Sequence, residues 1–260
     1  MKTRFALTLI LGWVFLSLGC SPSSETGAAS SEDSQTMVAR VEAAMAAPGR
    51  PAGDSEIDAN RKPAEILAFI GIQEAMSVLD ASAAGGYYTE LVAAAVGPGG
   101  TVYAQNDQAA LERGEGAIEK AITARLAGGR LANVERLDRG LQELGMDGQF
   151  DAALAILTVH DAYNFRGEEA ALGFLSGLNA ALRSGGTLGF IDHAGEPGQD
   201  NRALHRIEQS VAERLITEAG FVIETRSDLL ANPADDHAVS VFDPSIRRRT
   251  DRFVIRARKP

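Results

Sequence analysis

Short, nearly continuous apolar runs alternate along this chain with longer stretches in which apolar residues recur every three or four positions. The first kind marks a strand buried on both faces, the second a helix with one face against a core. The pattern predicts strands over residues 77–80, 101–104, 134–137, 150–159 and 187–192. It predicts helices over residues 63–70, 87–96, 108–126, 168–182 and 204–219. Leu172, Leu175, Leu178 and Leu182 share one side of the fourth helix; Leu204, Ile207, Val211 and Leu215 share one side of the fifth. Breakers separate the runs at Gly71, at Gly97-Pro98-Gly99-Gly100, at Gly128-Gly129, at Ser184-Gly185-Gly186 and at Gly220. Two last strands, 221–225 and 252–256, have no helix between them and are expected to pair antiparallel. The expected fold is α/β and doubly wound: a mostly parallel, seven-stranded sheet with a C-terminal antiparallel strand.

One stretch, MSVLDASAAGGYYTELVAAAVG from Met76 to Gly97, organises the rest. Val78 and Leu79 end on Asp80; small residues follow to Gly86; helical spacing begins at Tyr87. Strand, tight turn and helix make the first unit of a nucleotide-binding α/β fold. Small side chains let a ligand approach the backbone, and the helix start offers unpaired N–H groups.

This stretch resembles motif I of the class I S-adenosylmethionine-dependent methyltransferases, in which an acid ends the first strand and a glycine-rich turn follows. Asp80 and Gly86 fit; Ser82 and Ala84 stand where glycines are usual. RKPAEILAFIGI, GGYYTELVA, ALRSGGTLGFIDH and the final stretch from Asp228 to Pro260 resemble a family of exported bacterial methyltransferases. The resemblance implies a Rossmann-like methyltransferase domain, S-adenosylmethionine as cofactor and a small-molecule methyl acceptor. It implies cofactor contacts at Asp80, Ala81, Ser82, Ala84, Gly86, Asn106 and Asp138. Asn106 takes the place of the carboxylate that usually holds the ribose hydroxyls, with Asp107 beside it; Gly140 stands where an acid is common after the third strand.

The first 19 residues read as an export signal: Lys2 and Arg4, then an apolar stretch too short for a good membrane span. The stretch ends Leu18-Gly19-Cys20, and Cys20 is the only cysteine. This resembles a bacterial lipoprotein signal, which implies lipidation of Cys20 and an anchor in the envelope, with Ser21 favouring the outer membrane; an ordinary secretory signal is the alternative. No intrachain disulfide is possible. Residues 20–56 are expected to be a flexible tether with a short amphipathic helix near 37–47, and residues 57–260 the folded domain. The formal net charge of −10 argues against a nucleic-acid partner. The basic triplet Arg247-Arg248-Arg249 is local and reads as a solvated loop.

Ligands of open α/β sheets bind outside the carboxyl ends of the strands. Those ends are expected to carry Asp80 to Gly86, Asn106 with Asp107, His160 with Asp161, and Asp192 with His193. Methyl transfer rests on positioning and desolvation, and an oxygen or nitrogen acceptor also benefits from a base. His160 with Asp161, or His193 with Asp192, is the candidate base, although neighbours on a strand point opposite ways. His205 and His237 are weaker candidates. A metal site from His160, His193, His205 and an acid is an alternative, but no compact ligand spacing supports it, and no metal is expected. Gly-x-Ser-x-Gly is absent, which disfavours a serine hydrolase. A non-catalytic binding protein on the same scaffold remains the competing class.

Overall fold

The computed structural model describes Met1 and residues 25–260. Cys20, the export signal and the first residues of the expected tether lie outside the described residues. No helix among the described residues is long and apolar enough to cross a membrane.

The sheet carries β3 (Val134–Leu137), β2 (Thr101–Gln105), β1 (Ser77–Ala81), β4 (Phe150–Ile156), β5 (Leu182–Gly195), β8 (Arg252–Arg258) and β7 (Val222–Ser227), in that spatial order. The first five run parallel; β8 is antiparallel to both of its neighbours. A two-residue strand, β6 (Ile207–Glu208), pairs with the end of β5. The expected seven-stranded sheet is therefore present, with β6 as a short addition.

Neighbouring residues on each central strand enter opposite cores. Val78, Ala152, Leu154, Ile191 and Val254 pack with α3 (Pro63–Ile70) and α4 (Tyr87–Val96). Leu79, Ala153, Ala155, Phe190 and Ile255 pack on the other face with α7 (Glu168–Ala181) and α9 (Gln209–Glu218). This is why these strands are apolar without alternation. α5 (Gln108–Leu126) covers β2 through Leu111 and Ile122.

Several boundaries differ from the sequence expectation. The folded part begins before residue 57: α1 (Glu25–Met45) extends through the expected tether, and its Met37 and Val41 are fully buried against α3 and α4. A short helix, α2 (Ser55–Arg61), follows. The run 150–159 is not one strand. β4 stops at Ile156, Leu157 turns left-handed (φ 54°), and α6 (Val159–Arg166) begins. The helix expected from Leu204 starts later, because His205 is also left-handed (φ 54°) and closes the short α8 (Asn201–Leu204). Arg206 is then fully buried, with its guanidinium on Asp235. α5 is broken at residues 113–116, where Gly114, Glu115 and Gly116 all have positive φ.

Candidate active site

At the carboxyl ends of β1, β2 and β4 lies a cleft of ≈ 770 Å³, within the roughly 300–1,000 Å³ typical of small-molecule sites. The β1–α4 turn forms one wall. Asp80, Ser82, Ala83, Ala84, Gly85 and Tyr87 all face the cleft. Ser82 (φ 53°) and Ala84 (φ 49°) adopt the left-handed backbone that glycine would adopt more easily. Such strain persists only where the surroundings over-determine it, and here side chains hold the turn from three directions. Gln105 accepts from Ser82 N–H at 3.0 Å and donates to the Arg139 carbonyl at 2.7 Å. Asn106 accepts from Ala84 N–H at 2.9 Å and donates back to the Ala84 carbonyl at 3.2 Å. Arg125 of α5 donates through Nε to the Gly85 carbonyl at 2.6 Å.

Arg125 is itself fixed by Asp54 at 2.8 Å and Glu90 at 2.5 Å, both buried. Burial opposes ionisation of Glu90, but Arg130 and Arg125 outweigh it and hold the carboxyl below its usual range. Asp58 of α2 pairs with Arg50 at 2.7 Å and accepts from the Tyr87 hydroxyl at 2.7 Å. These ion pairs leave Arg61 out; its guanidinium lies over the Tyr87 ring, 4.5 Å from the centroid, and faces the cleft.

Asp80 is buried and accepts from the Thr89 hydroxyl at 2.6 Å. Burial pushes its carboxyl up to about 6, against the Thr89 hydrogen bonds that favour the charged form. Asp107 caps α5 by accepting from Ala110 N–H at 2.6 Å and also lines the cleft.

The opposite end of the cleft is built on α6. His160 follows Thr158 and Val159 into the first helical turn rather than ending a strand. Asp192 of β5 accepts from His160 N–H at 2.9 Å, an unpaired donor at the start of α6, and from the N–H of its strand neighbour His193 at 2.9 Å. The third contact of Asp192 is His160 Nδ1, at 2.6 Å. His160 Nε2 meets Asp161 at 3.1 Å, and the same Asp161 oxygen meets His205 Nδ1 at 3.0 Å. Asp161 and His205 line the cleft, with Phe165 beside the His205 ring at 4.8 Å.

The expected site residues divide accordingly. His160, Asp161, Asp192 and His193 do come together, with His205 as the added member. Burial works against the His160 imidazolium, yet Asp192 and Asp161 outweigh burial and push the ring up to about 10. Both its ring nitrogens face carboxylates, so the free general base expected of His160 is not there. His193 turns away to Thr250 at 2.8 Å; burial, then the nearby His160 charge, holds it well below its usual value and therefore neutral. His237 bridges Glu196 and Asp251 outside the cleft. Asp138 pairs with Arg136 at 2.8 Å and does not line the cleft. Ala81 is buried in β1. Gly86 faces α5: a Cβ there would stand 2.7 Å from Ile122 Cδ1 and 2.9 Å from Arg125 Cδ. Asn106 is a turn clamp that also lines the cleft, and the carboxylate beside it in the cleft is that of Asp107. Its signal, an acid just before a helix, was legible as an N-cap. Arg61, Arg125 and Gln105 had no local signal, because their partners lie far away in sequence.

No family model matches the chain, and no curated protein matches it. Solved structures do. A SAM-dependent methyltransferase from Aquifex aeolicus superposes with a TM-score of 0.57 at 19% identity, over 80% of this chain and 98% of that one. The fold is that of the class I S-adenosylmethionine-dependent methyltransferases. An arsenic(III) S-adenosylmethionine methyltransferase from Chlamydomonas reinhardtii gives 0.51 at 20% identity, over 85% of this chain and 73% of that one. The cyclase SpnF gives 0.55 at 17% identity, over 78% and 82%. One scaffold thus carries more than one chemistry, and function has to be argued from the cleft.

Proposed function

We propose that this chain is an S-adenosylmethionine-dependent methyltransferase acting on a small-molecule acceptor. The observation that carries the reading is the pinned β1–α4 turn: a strained backbone, held by Gln105, Asn106 and Arg125, that faces an open cleft of cofactor size. Asp107 has one carboxylate oxygen on its cap and another to accept from hydroxyl groups. Arg61 brings a positive charge to the cleft that would suit a carboxylate. These donors and acceptors fit the amino-acid and ribose parts of the cofactor.

When bound, S-adenosylmethionine supplies an electrophilic methyl group. Ile156, Leu157 and Phe165 give the far part of the cleft an apolar wall that limits water. Asp161 and His205 provide the polar groups there, placed to orient the nucleophilic atom of an acceptor. Calorimetric titration of the chain with S-adenosylmethionine, in EDTA, tests the reading. Saturable one-to-one binding that weakens in Asp107→Ser supports it; no heat at millimolar ligand rejects it.

We also propose that the protein is exported and anchored to the membrane by lipid on Cys20, without nucleic-acid contacts. Support comes from Lys2, Arg4, the apolar run and Leu18-Gly19-Cys20, and from the negative charge. Palmitate labelling of the wild type but not of Cys20→Ser is expected; equal labelling overturns it.

A further inference from the structure

The His160–Asp161–His205 group is built in a way that the methyl-transfer reading does not require. Two imidazole nitrogens and one carboxylate oxygen, from α6 and from the turn after α8, lie within 4.8 Å of one another. The two edges that meet at Asp161 Oδ1 measure 3.1 and 3.0 Å. Ligands about 2.1 Å from a shared tetrahedral cation are about 3.4 Å apart, so a shift of a few tenths of an ångström turns these hydrogen-bonded edges into coordination edges. Two histidines and one carboxylate are the donor set of zinc and of non-haem iron sites with open positions.

The surroundings of His160 point the same way. Metal-bound histidines hold their second nitrogen on a carboxylate or carbonyl, which fixes the tautomer and aims the ring. His160 Nδ1 rests on Asp192 at 2.6 Å, and Asp192 is locked by two backbone N–H groups. The Nε2 edge is thereby aimed at Asp161 and His205. His205 is held in a left-handed backbone and packed between the Phe165 and Phe242 rings, at 4.8 and 4.7 Å. A strained residue kept in one place by its neighbours is a mark of a functional position. Asp161 and His205 face the cleft, so a cation there would keep positions open to it.

We infer that His160 Nε2, Asp161 and His205 form a binding site for one divalent transition-metal ion of the zinc class, on the cleft wall opposite the β1–α4 turn. On binding, the imidazoles coordinate as neutral ligands and the proton shared by His160 and Asp161 passes to solvent. Asp192 acts as a positioning residue for His160. The site stands independently of methyl transfer, because its test uses the metal alone.

The test is calorimetric titration of the EDTA-treated, dialysed chain with zinc chloride, and visible spectroscopy with cobalt(II) chloride. The wild type is expected to bind one equivalent with a dissociation constant of about micromolar or tighter, and to give the cobalt spectrum of nitrogen and oxygen ligation. Asp161→Asn and His205→Ala, both at partly exposed positions, should each weaken binding more than about 100-fold while circular dichroism stays unchanged; Asp192→Asn should weaken it by about 10–100-fold. His237→Ala, outside the cleft, should bind as the wild type does. The inference is overturned if the wild type takes up no zinc at millimolar concentration. It also falls if folded Asp161→Asn and His205→Ala keep wild-type affinity, or if binding disappears with His237→Ala instead. Cofactor titration in EDTA is unaffected by any of these outcomes, so the two readings fail separately.

Discussion

The side-chain amide of Asn106 is hydrogen bonded at both ends to the backbone of Ala84, accepting at 2.9 Å and donating at 3.2 Å. An amide is the only common side chain with a donor and an acceptor in that arrangement. Asn106→Asp, which restores the acid usual in this fold, is therefore expected to weaken S-adenosylmethionine binding, because its carboxylate would face the Ala84 carbonyl. A destabilisation of about 1–3 kcal/mol should accompany it. Calorimetry and thermal denaturation measure both effects; tighter cofactor binding in Asn106→Asp would show that the clamp does not matter.

Asp107 has two separable roles. Asp107→Ser keeps an N-cap side chain, so stability should change by only a few tenths of a kcal/mol; Asp107→Ala loses the cap and about 1 kcal/mol. Both remove the carboxylate and should weaken cofactor binding alike. Unequal cofactor affinities that follow stability instead would mean that the cap alone is at work.

Asp80 should give the ligand-free protein a pH-dependent weakness. Its folded value of about 6 lies above the usual 3.8. The stability linked to its proton is complete below about pH 4 and is lost as pH rises through 6. At pH 8 the buried charge costs about 3 kcal/mol on the scale of 1.36 kcal/mol per pKa unit. Asp80→Asn, neutral throughout, should melt above the wild type at pH 8 and alongside it near pH 4. A constant difference across that range would contradict the assignment.

The buried pair of Arg125 and Glu90 holds the turn from beneath. Glu90→Ala leaves Arg125 paired with Asp54 alone and frees the partly exposed Arg130, so it should cost about 1–3 kcal/mol. Urea unfolding measures it; a loss under 1 kcal/mol would show that water replaces the missing partner.

Some of this was written in local sequence. The period of Leu172, Leu175 and Leu178 and the breaker Gly97-Pro98-Gly99-Gly100 placed α7 and the end of α4, because periodicity and backbone restriction act over a few residues. Continuous apolar runs foretold strands covered on both faces, and with them the parallel sheet whose carboxyl edge carries the cleft. The expectation that His160, Asp161, Asp192 and His193 lie near that edge came from the same placement of strand ends.

Tertiary structure decided what those side chains do there. Apolar character ran on through Val159, but the chain turned at Leu157 and made His160 a helix-start residue bound to Asp192. His205 entered the cleft because the chain turns left-handed there and Arg206 is buried on Asp235, a partner 29 residues away. The turn that sequence marked as poor in glycine is held by Gln105, Asn106 and Arg125, from two other elements. Local pattern sets which segments form because it acts through neighbours in the chain. The chemistry of the cleft depends on charges and hydrogen-bond partners that only folding brings within 3 Å of one another.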